Sequence, residues 1–215
     1  MKNAFFSFFF LIAFFPLSIA QQTDAGANEI MDKLSKKYQQ FSSMKIQYTF
    51  KAEKDKKVLN TEQGTFTIKG SKYRLELASQ IIYCDAKNIW NYQKEANEIS
   101  IFEFDADDQD NMMNPAAILH NWQKEYTAKY IRDEVENNRT LQVIDLKPVK
   151  SNSFYKIRLF IDKKKNEIYA SSVYEKDNTI YSYYINTFTP NSSYEDSYFM
   201  LDVSKYPQAE IIDMR

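Results

Sequence analysis

The sequence predicts a mainly β protein of the α+β kind, in which one long antiparallel sheet curls around a concave face. Three observations carry that expectation. Short runs in which apolar and polar residues alternate recur from Ile46 to Phe188, the period of two that strands require. Only one stretch, Asp24 to Met44, keeps a long helical period of three and four. The runs add up to about ten strands, and a sheet of that width twists until it curls, leaving a hollow for helices, side chains or a ligand to fill.

The elements follow in chain order. Met1 to Ala20 has the form of a cleavable secretory leader: Lys2, an apolar block from Ala4 to Leu17, then Ser18-Ile19-Ala20 with small residues before the cut. The alternative, a membrane anchor, needs about 20 apolar residues and the block is shorter. From Gln21 to Arg215 there is no linker and no shift of composition, so residues 21–215 read as a single domain after the signal peptide at 1–20. Ala27, Ile30, Met31, Leu34, Tyr38 and Phe41 line one face of an amphipathic helix capped near Asp24. Strands are expected at Ile46 to Phe50, Thr65 to Ile68, Tyr73 to Leu77, Ile81 to Cys84, Asn88 to Tyr92 and Glu98 to Phe104. Asn114 as cap and Pro115 at the first helical position predict a short apolar helix through Ile118, Leu119 and Trp122. Strands resume at Tyr126 to Ile131, Leu141 to Leu146, Phe154 to Ile161, Glu167 to Tyr174 and Thr179 to Phe188, and the last apolar pieces are Phe199-Met200-Leu201 and Ile211-Ile212.

Composition removes several function classes. Lys+Arg 28 against Asp+Glu 29 leaves a net charge of -1, so no one-signed field is available to hold nucleic acid. One His and one Cys cannot assemble a Cys/His zinc site, a disulfide or a relayed nucleophile. Three glycines cannot write a phosphate-cradling loop. His120 is therefore expected to be structural, and Cys84, beside Ile81-Ile82-Tyr83, an inert core thiol. The acidic string Glu103, Asp105, Asp107, Asp108 and Asp110 lacks the glycine and closing glutamate of a calcium loop and reads as a solvated loop. Lys163-Lys164-Lys165 reads as a hairpin tip. Met31, Met112, Met113, Ile118, Leu119 and Trp122 suit either ordinary core or a deformable lid over a fatty ligand.

Certain segments, in this order and behind a leader, carry a likeness. They are Gln63-Gly64-Thr65-Phe66-Thr67-Ile68-Lys69, Tyr73-Arg74-Leu75-Glu76-Leu77, Asp85-Ala86-Lys87-Asn88-Ile89-Trp90-Asn91-Tyr92, the Asn114-Pro115 helix and Ile212-Asp213-Met214-Arg215. Through them the whole mature chain resembles the LolA family, the periplasmic outer-membrane lipoprotein carriers of double-membraned bacteria. The resemblance implies an unclosed antiparallel β-barrel with helices over the opening, acting as a monomeric chaperone and not as an enzyme, with no cofactor or metal. It also implies three partners: acylated lipoproteins, an inner-membrane lipoprotein-releasing transporter and an outer-membrane acceptor. A periplasmic lipid or lipoprotein sensor of the same fold is the alternative. The acyl-binding wall and lid are expected to draw on Met31, Leu34, Tyr48, Phe50, Phe66, Ile68, Tyr73, Leu75, Leu77, Ile89, Trp90, Met112, Met113, Ile118, Leu119 and Trp122. Which strand face points inward stays open, because several strands are apolar on both. Two positions depart from the family pattern. Ala86 stands where a D-G-K glycine is usual and predicts a different turn; Gly70 stands where a lid-latching arginine is found, which leaves Arg74 as a substitute latch.

Overall fold

The computed structural model describes residues 24–105, 117–119 and 122–215. The leader, Met112, Met113, Asn114, Pro115, His120 and the acidic run beyond Asp105 lie outside them.

Helix α1 (Ala25–Gln39) starts at the expected cap: one Asp24 carboxylate oxygen accepts from the Gly26 and Ala27 N–H groups at 3.1 and 3.2 Å. The other oxygen accepts from the Tyr130 N–H at 3.1 Å, so the cap also ties the helix to a distant strand. The helix stops short of Met44 because the chain must turn and begin a strand there. Among the described residues twelve strands follow, against about ten expected: β1 (Met44–Lys54), β2 (Lys57–Lys69), β3 (Lys72–Glu76), β4 (Gln80–Cys84), β5 (Asn88–Gln93), β6 (Glu98–Glu103), β7 (Tyr126–Glu136), β8 (Arg139–Pro148), β9 (Phe154–Asp162), β10 (Glu167–Glu175), β11 (Thr179–Pro190) and β12 (Glu210–Asp213). Between β6 and β7 lie a 3-10 turn, Ala117–Leu119, and the one-turn helix α2 (Trp122–Glu125).

All the strands join one sheet in the order β12-β6-β5-β4-β3-β2-β1-β11-β10-β9-β8-β7. Neighbours are antiparallel, as expected, except at one edge, where β12 runs parallel to β6. Pairing of β1 with β11 joins the two meanders, and β7 and β12 end the sheet without meeting, so the barrel is unclosed.

The curl shows in what α1 gathers. One apolar cluster joins Ala27, Met31, Leu34 and Tyr38 of the helix to Ala128 of β7, Ile144 and Leu146 of β8, Leu159 of β9, Ile168 of β10 and Met44 of β1. At about 4.8 Å per strand a flat sheet would spread these strands well beyond the roughly 10 Å width of a helix. Bulges at Gln47/Tyr48 and Tyr130/Arg132 add local twist. The two-residue turns Asp55-Lys56 and Asn137-Asn138 take positive φ at both positions, the geometry that matches tight hairpins to twisted strands.

Candidate functional site

The inner face of the sheet is the one that α1 touches, and register extends it across the first meander. Ile68, Ile185 and Phe188 pack against both the helix cluster and a second cluster of Ile46, Tyr48, Phe66 and Leu75, so the two clusters share a face. Opposite pairs carry it outward: Ile46 faces Phe66, Phe66 faces Leu75, Leu75 faces Ile82, and Tyr73 faces Cys84, which faces Ile89. Around the sealed centre stand half-buried Phe50, Tyr73, Leu77, Ile82 and Tyr183. This aromatic and aliphatic wall, beyond the reach of α1, is the candidate site.

The structure sorts the expected site residues into three places. Tyr48, Phe50, Phe66, Ile68, Tyr73, Leu75 and Leu77 come together on the inner wall, with Ile89 on the same face toward the β6 edge. Met31, Leu34, Ile118, Leu119 and Trp122 belong to the helix cluster, where the Ser35 hydroxyl donates to the Leu119 carbonyl at 2.9 Å and holds the 3-10 turn against α1. Trp90 is corrected: it lies on the outer face with Tyr83, Ile99, Ile101 and Leu201. Adjacent Ile89 and Trp90 cannot share a face, because side chains alternate along a strand.

Arg74 is corrected for the same reason. Its guanidinium lies 4.9 Å from the Tyr83 ring and 4.7 Å from the Tyr198 ring, on the outer face, with an ion pair to Glu76 at 3.2 Å. It grips the C-terminal segment and not a helix over the hollow. Lys72 and Lys69 do likewise, at 2.6 and 3.1 Å from Asp196, and Lys69 also donates to the Tyr194 carbonyl at 2.8 Å. Beyond them Leu201, Val203 and Tyr206 cover the outer face of β4 to β6 before β12 adds to the edge. Ala86 is the third correction. Its φ of 70 keeps the left-handed turn that glycine would take, so the turn is the same in shape and strained in substance.

Sequence reasoning missed Tyr183 and Ile82 as wall residues, and Gly64. The signal for the first two was their parity in strands already recognised; that for Gly64 was its position opposite Tyr48. A Cβ there would come within 2.6 Å of the Tyr48 ring and hydroxyl, so only glycine lets that phenol lie against β2.

Burial keeps the phenols of the wall uncharged. Burial, seconded by neighbouring Tyr183, pushes the Tyr48 hydroxyl well above the usual phenol range, and burial pushes Tyr183 up to about 12. Burial also raises the Cys84 thiol, which leaves it protonated and a poor nucleophile. Among the described residues no group of three or more His, Cys, Asp or Glu side chains converges as a metal site. Two open clefts lie elsewhere: one of about 410 Å³ lined by charged and polar residues beside Arg139 and the Lys163-Lys164-Lys165 tip, and one of about 780 Å³ beside Ala86 and Arg215. Neither is the apolar hollow that was expected. The inner face is filled by its own side chains, with Phe66 and Leu75 at 2% and 1% exposure.

The model of the family described as outer membrane lipoprotein carrier protein LolA matches residues 39–202, well over half of the chain. The chain belongs to that family. The match begins at the end of α1 and runs through the sheet to the C-terminal cover, so it contains the whole inner wall. A curated relative of this LolA-family chain, the uncharacterized protein MJ0687 of Methanocaldococcus jannaschii, is 22% identical over 165 residues and covers 76% of the chain. The chain spans about half the length of that relative, 48%. Among solved structures, an uncharacterized conserved protein from Thermus thermophilus is similar over 87% of the chain and 99% of its own, with 10% identity and a TM-score of 0.57; the two share a fold. The LolA superfamily protein NE2245 from Nitrosomonas europaea covers 82% of the chain and 98% of its own at 12% identity and a TM-score of 0.44.

Proposed function

We propose that this protein is a periplasmic chaperone that shelters the acyl chains of lipoproteins on the inner wall of its sheet and carries them from the inner to the outer membrane. The observation that supports this most is the continuous apolar wall from Phe50 to Ile82, half-buried and left by α1 to its own side chains. Sheltering a hydrocarbon chain is worth about 0.8 kcal/mol per CH₂. Because the wall already packs against itself, cargo must displace those contacts, and only the difference is left to hold it. A weak net grip is what handover from a releasing transporter to an outer-membrane acceptor needs. The reading asks for no cofactor and no covalent step.

Protein produced with its leader in a double-membraned bacterium and recovered from the periplasm should carry lipoprotein detectable by native mass spectrometry. Leu77→Asp, which sets a charge on the wall, should remove at least nine-tenths of that cargo while the circular dichroism stays that of the parent. Equal cargo on a folded Leu77→Asp variant would overturn the site. Recovery of glycerolipid alone from the parent would overturn the carrier role in favour of a lipid-binding sensor.

A further inference from the structure

The chain's net charge of -1 hides a local excess of positive charge at one end of the sheet. Helix α1 presents Lys33, Lys36 and Lys37 there, spaced at three and four along one face. The turn between β9 and β10 brings Lys163, Lys164 and Lys165 against them. The Asn166 side chain donates to the Lys33 carbonyl at 3.2 Å, and Lys37 Nζ donates to the Lys165 carbonyl at 2.7 Å. The neighbouring hairpin of β7 and β8 adds Arg139, which shares the cleft of about 410 Å³ with the three lysines of the turn.

The carboxylates among these cations are already engaged. Glu167 pairs with Lys37 at 2.8 Å and Asp133 with Lys163 at 2.7 Å. Asp162, 5% exposed, accepts from the Lys164 and Lys165 N–H groups at 3.0 and 2.9 Å and has Arg139 at 3.9 Å. Asp32 accepts from Gln123 at 2.6 Å, and Glu29, one turn before Lys33, makes no ion pair with it. Lys33, Lys36, Lys164 and Lys165 are thus all exposed and without an ion pair among the described residues. Like charges on adjoining segments repel each other, a cost that an external anionic surface turns into attraction.

We propose that this basic face docks on the surface of a bilayer that contains anionic phospholipid. Two observations favour a membrane over an acidic protein. The four free cations are lysines, compact charges on flexible stems that follow a shifting layer of phosphates, where the fork of arginine suits fixed carboxylates. Beside them Val135, 77% exposed, pairs with Thr140, which lines the same cleft, and an apolar side chain among lysines fits the boundary between headgroups and acyl chains. The face is built on α1 and the second meander, whereas the wall assigned to acyl chains lies beyond the reach of α1. Docking therefore does not rest on the acyl-carrier reading.

The test is cosedimentation of the purified protein with vesicles of phosphatidylcholine alone and of an equal mixture with phosphatidylglycerol, at low and at physiological salt. The parent should bind the mixed vesicles, bind them less as salt rises, and ignore phosphatidylcholine. A variant carrying Lys33→Gln, Lys36→Gln, Lys164→Gln and Lys165→Gln should bind about tenfold more weakly or worse, since one basic residue near such a surface is worth about fivefold. Arg at the same four positions keeps every charge and should restore binding. Lys56→Gln/Lys57→Gln, in the hairpin turn at the opposite end of the sheet, should bind as the parent does, and so should Leu77→Asp on the inner wall. Equal binding by the fourfold Gln variant and the parent, or equal binding of both vesicles by the parent, overturns the docking face. Loss of vesicle binding in Leu77→Asp overturns it in favour of the wall as the membrane contact. A parent that ignores both vesicles overturns it as well, and capture of a glutamate-rich peptide by the same lysines would then name an acidic protein as the partner.

Discussion

The two halves of the sheet are covered by other segments on opposite faces. In the second meander, β7 to β11, the inner face is sealed by α1, whose Met31 and Leu34 are fully buried, and the outer face carries charge. There Asp145, 8% exposed, receives two hydrogen bonds from Arg158 at 2.6 and 2.9 Å, while Lys156 stands 3.4 Å away and also lies over the Tyr174 ring. In the first meander, β1 to β6, the C-terminal segment covers the outer face of β3 to β6, and half-buried rings surround the buried centre of the inner face. Both halves are stabilised by the same burial of apolar area. Covering the outer face of β3 to β6 from behind holds those strands while leaving the inner face free of α1, as the proposed acyl-binding role requires.

The sharpest test of that contrast is a matched pair of deletions. Leu34→Ala should cost about 3 kcal/mol, because it leaves a cavity under α1, and lower the melting temperature by roughly 6–12 °C. Leu77→Ala, on the half-buried wall, should cost less than half as much; equal costs by thermal melts would erase the distinction between a sealed half and an open one. Next in size is Arg74→Ala, which removes two ring contacts and the grip on Tyr198. It should cost about 1–2 kcal/mol and raise hydrogen exchange across residues 194–206 with acyl binding unchanged, and lost acyl binding would return Arg74 to the lid. Acid should weaken the second meander through Asp145. Burial alone would raise the Asp145 carboxyl, but the Arg158 hydrogen bonds and charge outweigh it and hold the group below its ordinary value. A lowered carboxyl stabilises the fold above the unfolded value of about 4 and loses that contribution as pH falls through the native one, so Asp145→Asn should flatten the acid limb of the stability curve below about pH 4. The smallest effect is a gain: Ala86→Gly should relieve the left-handed strain and stabilise by about 0.5–1 kcal/mol in denaturant melts.

Much of the fold was legible in local pattern. The Asp24 cap, the face of α1 and the strand order of both meanders follow from residues within a few positions of one another, where sterics and hydrogen bonding act directly. The wall was half legible. Tyr48, Phe66 and Leu75 lie on the inner face, a choice that alternation left open, and Trp90 and Arg74 lie on the other because both faces of β3 to β5 are apolar or aromatic. That ambiguity has a cause the alternation does not contain: the stretch from Tyr194 to Ala209, remote in sequence, folds back over the outer face and makes apolar residues there useful too.

By itself the sequence determined where the helix begins and which segments are strands, since these depend on short-range periodicity. Only the tertiary structure decided which side of each strand faces inward, that β12 joins one edge in parallel, and that Tyr48 lies against Gly64. Those features arise where distant segments compete for the same surface, and period-two alternation names two faces without saying which one the rest of the chain will cover.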